Sequence, residues 1–154
     1  MTLFQLTTVV VMGLSVCGGV LLPGCNSKIT SEADTASAQF RLLGRMYGEY
    51  LAIHRGIAPP DEKSFTKFLQ SHNDRLAQAD ISQVGELLVS PRDGQPLTVL
   101  YGKQSIAEGP GGLPWAAFEQ TGLAGKRCAI GARVTVEEME QERFDQVFSG
   151  RNLP

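Results

Sequence analysis

The chain has 154 residues, and its 14 Lys and Arg against 16 Asp and Glu give a formal net charge of −2 at pH 7. This near balance argues against nucleic-acid binding, because neutralising phosphates requires a concentrated basic face. It also argues against a polybasic membrane-binding patch. The charges are unevenly placed, since no Lys, Arg, Asp or Glu precedes Lys28.

The uncharged N-terminal segment ends in Leu22-Pro23-Gly24-Cys25. Residues 9–16 supply the apolar run of a secretory signal, and Gly24 supplies the small residue before a cleavage site. The segment resembles a bacterial lipoprotein signal, in which the peptidase cuts before the cysteine and the thiol carries the lipid. The resemblance implies that residues 1–24 are a signal peptide and that Cys25 is the lipidation site, bearing palmitate-type acyl chains. It also implies a membrane-anchored lipoprotein of the bacterial cell envelope, facing the periplasm or the exterior.

Two features of this segment keep alternatives open. No basic residue precedes the apolar run, and Pro23 occupies a lipobox position where a small or β-branched residue is usual. An uncleaved membrane anchor or an ordinary signal peptide is therefore the alternative, because about 20 apolar residues suffice to span a bilayer.

The rest of the chain is predicted to consist of a tether and a domain. Residues 25–32 are predicted to comprise the lipidated cysteine and a polar tether. Residues 33–150 are predicted to form a single domain.

The first half of this domain shows helical periodicity. Apolar residues at spacings of three and four predict an amphipathic helix of about 22 residues from Ala33 to a C-terminal cap at Gly56. Its predicted apolar stripe comprises Ala36, Phe40, Leu43, Tyr47, Tyr50 and His54, widened by Leu42, Met46 and Ile53. The small pair Gly44 and Gly48 predicts a close approach of this helix to the sheet. Asp61 is predicted to cap a short second helix, and Asp80 to cap a helical turn over residues 81–88.

The second half changes to strand patterns. Residues 91–94 predict a turn, and residues 97–101, 115–119 and 127–130 predict strands, with 134–136 extending the third. Residues 121–125 predict a hairpin connection. Thr135 and Glu138 predict a capping box for a terminal helix ending at Gly150, with inward side chains from Met139, Phe144, Val147 and Phe148. The predicted fold class is α+β: a long N-terminal amphipathic helix, short helices, an antiparallel sheet of about three or four strands and a C-terminal helix.

This element order and the loop Ser90-Pro91-Arg92-Asp93-Gly94-Gln95-Pro96 resemble the globular head of type IV pilin-like proteins. Within that group, the major pseudopilins of type II secretion have an Asp-Pro-x-Gly-x-Pro loop that leads into the first strand. Residues 118–127 also resemble small uncharacterised lipoproteins of planctomycete-type bacteria. The resemblance covers residues 33–130 and implies a head fold. It does not imply assembly into a pilus, because the Gly-Phe cleavage site of pilins is absent.

The cysteine and histidine side chains of the domain are predicted to have structural rather than catalytic roles. Cys128 is predicted to be a small buried hydrophobe, since no base lies near it in sequence and Cys17 and Cys25 leave it without a disulfide partner. His54 and His72 are predicted to interact with helix C-terminal dipoles. A metal pair of His72 and Asp74 is the weaker alternative, because zinc requires three or four convergent ligands.

The remaining candidate is an acidic cluster, predicted to lie on the solvated side of the terminal helix and formed by Glu137, Glu138, Glu140 and Glu142. No catalytic, metal-binding or cofactor-binding residue is therefore predicted. The predicted function is a lipid-anchored envelope protein of non-enzymatic interaction or scaffolding type. Its partners would be the membrane, through the lipid on Cys25, and an envelope protein, with no nucleic acid and no identified small-molecule substrate. The alternatives are a pilin-like subunit or accessory of a secretion machine, and an enzyme with an unrecognised site.

Overall fold

The structure, a computed structural model, describes residues 32–103 and 108–148. The predicted signal peptide, Cys25 and the predicted helix end at Gly150 lie outside the described residues. Within the described part of the chain, no helix combines the length and the apolar composition that a membrane crossing requires.

Helices and strands segregate along the chain, which confirms the predicted α+β class. The helical half contains α1 (Glu32–Ile53), α2 (Glu62–Gln70), α3 (Asn73–Gln78) and α4 (Val84–Leu87). The strands are β1 (Leu97–Val99), β2 (Trp115–Glu119), β3 (Lys126–Gly131) and β4 (Val136–Glu140), and α5 (Gln141–Phe148) follows directly. The strands form one antiparallel sheet in the order β1-β2-β3-β4, so each strand pairs with its neighbour in sequence.

The sheet separates two hydrophobic clusters, because successive side chains of a strand point to opposite faces. On β3, Cys128 and Ile130 belong to the larger cluster formed with α1, and Ala129 belongs to the smaller cluster formed with α5. Trp115 and the aromatic residues of α5 fill the smaller cluster, with the Trp115 and Phe148 ring centroids 6.0 Å apart. Trp115 is therefore a core residue.

Helix α1 follows the predicted stripe over most of its length. Its buried positions include six predicted ones, together with Leu51: Ala36, Phe40, Leu43, Met46, Tyr47 and Tyr50. The stripe ends earlier than predicted, because His54 is exposed and Ile53 is 64% exposed at the last helical position. Arg55 and Gly56 then take φ values of 57° and 84°, which confirms a left-handed termination at the predicted place.

Gly44 brings the backbone of α1 against the turn between β3 and β4, as predicted. A Cβ atom on Gly44 would stand 2.5 Å from the carbonyl oxygen of Gly131. The N–H of Arg133 donates to the carbonyl oxygen of Gly44 at 2.8 Å. One turn later, a Cβ atom on Gly48 would stand 2.9 Å from the Arg133 nitrogen. The two glycines therefore permit a helix–turn contact that no larger residue would allow.

Of the two predicted N-terminal helix caps, one is confirmed and the other is wrong. Asp61 caps α2 as predicted, since its carboxylate accepts the N–H of Ser64 at 2.7 Å. Asp80 does not cap α4, because Gln83 is the residue before that helix and Asp80 lies in the preceding turn with φ 56°. The short apolar run around α4 predicted a helical turn without specifying its first residue.

The predicted capping box at Thr135 and Glu138 is wrong. Residues 136–140 form β4 rather than a helix start, and residues 134 and 135 lie in the turn before it instead of extending the third strand. Glu137, Glu138 and Glu140 are consequently strand residues, and of the predicted acidic helix cluster only Glu142 lies on α5. Pairing of all five β4 residues with β3 outweighs the local helix signal, because strand formation depends on cross-strand partners.

Candidate functional site

A groove of about 680 Å³ lies between the first turns of α1 and the half of the sheet formed by β3 and β4. We call it the α1–β4 groove. Its walls are mainly apolar and come from Ala36, Phe40, Pro91, Leu123, Val134 and Val136. This volume falls within the range of about 300–1,000 Å³ that is typical of ligand pockets.

The polar residues beside the groove stand in one row across the sheet. Cys128 on β3 pairs with Glu138 on β4, and the register of β2 and β3 brings Glu119 to the other side of Cys128. Because opposed residues of paired strands share a face, all three point toward α1. The turn before β1 brings Arg92 over this row.

Arg92 binds all three members of the row. Its Nη1 donates to Glu119 Oε2 at 3.2 Å and also contacts Cys128 Sγ, while its Nη2 donates to Glu138 Oε1 at 2.8 Å. The Glu119 side chain is completely buried, the Arg92 side chain is 14% exposed and the Glu138 side chain is 48% exposed. The guanidinium therefore links a buried carboxylate to a half-exposed one.

The carboxylate of Glu119 has partners for both of its oxygens. The hydroxyl of Ser90 donates to Oε1 at 2.7 Å, and the N–H of Cys128 donates to Oε2 at 2.7 Å. The hydroxyl of Ser90 also accepts the N–H of Arg92 at 3.1 Å, which holds the turn in place. A buried charge is tolerated when it is paired and hydrogen-bonded in this way. We call Ser90, Arg92, Glu119, Cys128 and Glu138 the Arg92 cluster.

Cys128 is buried, as predicted. Burial raises the pKa of its thiol to about 11, and the charge of Glu119 acts in the same direction while Arg92 opposes both. The group is therefore a protonated thiol at neutral pH, whereas nucleophilic attack requires the thiolate. The contact between this thiol and Arg92 was not predicted from the sequence.

We expect Cys128 to be alkylated about 100-fold more slowly in the folded protein than in the unfolded protein at pH 8, because a pKa of about 11 leaves far less thiolate than the ordinary value. The rate can be measured with iodoacetamide and mass spectrometry of the Cys128 peptide. Equal alkylation rates in the two states would contradict the raised pKa of Cys128.

The raised pKa of Cys128 also predicts a pH dependence of stability. The free energy of unfolding should decline between about pH 9 and pH 11, where the unfolded thiol loses its proton and the folded thiol keeps it.

The two histidines lie at helix ends, as predicted. The His54 ring stacks on Tyr50 with centroids 3.9 Å apart, and its Nδ1 lies 2.9 Å from the Tyr50 carbonyl oxygen. Nδ1 of His72 lies 2.9 Å from the carbonyl oxygen of Phe68, near the end of α2. Among the residues that the structure describes, no three His, Cys, Asp or Glu side chains converge as metal ligands. His72 and Asp74 accordingly gain no third ligand there.

Three arginines lie along one flank of α1. Arg41 lines the groove, and Arg45 follows one turn later, in a neighbouring depression that Glu49 and Arg75 also line. The Arg133 side chain lies against Gly48, with Cγ 3.5 Å from the position of a Cβ atom there. None of the three has an ion-pair partner among the described residues, unlike Arg92 and Arg75. We call Arg41, Arg45 and Arg133 the basic rim.

Neither the basic rim nor the Arg92 cluster is predicted from the sequence. One signal for the cluster was present, because Glu119 is a charged residue that ends a strand whose other four residues are apolar and buried. A buried acidic residue requires a cationic or hydrogen-bonding partner. The pattern around its partner Arg92 predicts only a turn, since the two residues lie 27 residues apart in the chain.

Comparison with known proteins adds nothing to the interpretation of the groove, the Arg92 cluster and the basic rim, which depends on their geometry. No protein-family model matches the chain, and no match to a curated protein or to a solved structure was found. The similarity to pilin heads and to planctomycete-type lipoproteins therefore stays a prediction.

Proposed function

We propose that this protein is a lipid-anchored protein of the bacterial cell envelope whose α+β domain is a non-enzymatic interaction or scaffolding module. The observation that carries the proposal is the position of the α1–β4 groove beside the first turns of α1. Cys25 precedes Glu32 by seven residues, which span at most about 25 Å when extended. A lipid on Cys25 would therefore hold this groove close to the membrane surface.

The chemistry of the groove supports a contact surface. Catalytic acids and bases need an available proton or lone pair at the reacting atom. In the Arg92 cluster, the Glu119 carboxylate is occupied by Ser90, Arg92 and the Cys128 N–H, and the Cys128 thiol is protonated at neutral pH. An enzyme with an unrecognised site, the alternative from the sequence, would need a reactive group other than these.

Palmitate labelling in a bacterial host tests the anchor. We expect wild-type protein in the membrane fraction to incorporate labelled palmitate and Cys25→Ala to lose the label, because the acylated thiol is absent. Cys17→Ala is the matched control, since it removes a cysteine inside the predicted signal peptide and should leave labelling unchanged. Equal labelling of wild type and Cys25→Ala would contradict the lipoprotein proposal.

A second candidate is a pilin-like subunit or accessory of a secretion machine. It is favoured by the packing of one long N-terminal helix, α1, on a four-stranded antiparallel meander entered through the turn at residues 91–94. Cross-linking in native membranes separates the two candidates. A ladder of multimers that co-purifies with secretion components would favour the pilin-like subunit, and a monomer or a single discrete complex would favour the interaction module.

A further inference from the structure

We propose that the basic rim and the ends of the α1–β4 groove dock the domain onto the anionic lipid surface of the membrane that anchors it. The inference rests on the proposed function, because it requires the N-terminal anchor to hold the domain at a bilayer. The occupant is an anionic phospholipid headgroup layer, recognised by cations that lie beside exposed apolar side chains.

The charge of this face supports an anionic partner. Arg41, Arg45 and Arg133 have no ion-pair partner among the described residues, and they occupy one flank of α1 over successive turns. On the neighbouring β4, Glu137 pairs with Arg143 and Glu140 pairs with Lys126. Arg92 is shared between Glu138 and the buried Glu119, so the Arg92 cluster keeps one negative charge against the three positive charges of the basic rim. The face is therefore locally positive although the whole chain is slightly negative.

The apolar side chains of this face support a lipid rather than a soluble anion. Leu123 is 53% exposed and Val134 is 46% exposed, and both line the groove. They lie in the turns at opposite ends of β3, whose six residues span about 20 Å. Exposed aliphatic groups beside cations suit the boundary between headgroups and acyl chains, where apolar surface is buried while the charges meet phosphates.

The location of the basic rim explains how a weak contact with the membrane is sufficient to dock the domain. Three cations are fewer than the clusters of 4–8 that typically bind anionic membranes without other support. The tether enters the domain at α1, the helix that carries Arg41 and Arg45. Anchoring makes docking an intramolecular step at high effective concentration, so few contacts are needed. Docking of this kind should weaken as salt screens the charges.

Hydrogen exchange on the full chain tests the docking. The protein, extracted from a bacterial host as that host processes it, is reconstituted into vesicles of phosphatidylcholine alone or in equal mixture with phosphatidylglycerol. We expect amides in residues 121–125 and 132–136 to exchange several-fold more slowly on the anionic vesicles, and high salt to remove the difference. Exchange in α2, which lies outside the groove, should be the same on both vesicles.

Matched variants identify the charges responsible. Arg41→Gln with Arg133→Gln should abolish the difference between the two vesicles, whereas Arg41→Lys with Arg133→Lys should retain it because both cations remain. Lys63→Gln with Lys67→Gln removes two charges from α2 and should also retain it. Since Arg133 packs on Gly48, Arg41→Gln alone provides a variant that leaves that contact intact and should reduce the difference.

Flotation of the same vesicles separates failure of the docking from failure of the anchor. Protein that floats but shows equal exchange on both vesicles overturns the docking and leaves the proposed function standing. Protein that does not float overturns both. Protection that is unchanged in Arg41→Gln with Arg133→Gln also overturns the docking, because the contact would then not depend on the basic rim.

Discussion

Arg92→Met should lower the free energy of unfolding by about 3–5 kcal/mol, because it removes one partner of a buried ion pair and leaves the other charged. The Glu119 side chain has no exposed surface, and Arg92 is its only cationic partner among the described residues. The hydrogen bonds from Ser90 and from the Cys128 N–H remain, but they do not supply a positive charge. Urea unfolding at neutral pH, followed by circular dichroism, measures the loss.

A double-mutant cycle tests whether the loss comes from the unpaired carboxylate. Glu119→Gln combined with Arg92→Met removes both charges, so the double variant should be more stable than the sum of the single losses predicts, by about 1 kcal/mol or more. Arg143→Met is the matched control, because Arg143 is 58% exposed and lies 3.8 Å from Glu137. It should cost less than about 1 kcal/mol. Equal losses at Arg92 and Arg143 would contradict the cluster's role.

Gly44→Ala should lower the free energy of unfolding by about 1–3 kcal/mol, in spite of the better helix propensity of alanine. The added Cβ atom would stand 2.5 Å from the carbonyl oxygen of Gly131 and 3.1 Å from that of Arg133. These are backbone atoms, so relief requires α1 to move away from the β3–β4 turn. Such a movement would also lengthen the hydrogen bond from Arg133 N–H to the Gly44 carbonyl oxygen.

Gly85→Ala is the matched control for this contact. Gly85 also lies inside a helix, α4, and apart from its chain neighbours and the backbone of its own helix no atom lies within 4 Å of the position of an added Cβ atom. The substitution should therefore stabilise the protein slightly, by up to about 1 kcal/mol, through the higher helix propensity of alanine. Thermal unfolding of both variants gives the comparison. A Gly44→Ala variant as stable as Gly85→Ala would show that α1 does not need this close approach.

Because of the distribution of ion pairs, the net charge of the chain does not predict the charge of each surface. The net charge of −2 argued against a polybasic patch. The fold pairs the acidic residues of β4 with Arg92, Lys126 and Arg143, and it leaves the basic rim without partners among the described residues. A surface that differs in sign from the whole chain can therefore form without a basic composition.

Parts of the fold were predictable because the information is local. The stripe of α1 repeats with the helical period, and the cap at Asp61 depends on residues three apart. The strand Trp115–Glu119 was predicted at its observed bounds, since its apolar run is flanked by turn residues. Burial of Cys128 also followed from local composition. The α+β class needed only the order of these elements.

The fold class, α1 and the core positions that follow one period are therefore predictable from sequence, because each depends on neighbours a few residues away. Local sequence does not specify that residues 136–140 form β4 or that Arg92 meets Glu119. Both depend on contacts between distant parts of the chain. A strand is stabilised by its cross-strand partners, and a buried charge by a counter-charge that the fold brings from a distant part of the chain. The groove and its basic rim follow from those long-range contacts, so they exist only once α1, the Arg92 turn and the sheet are assembled.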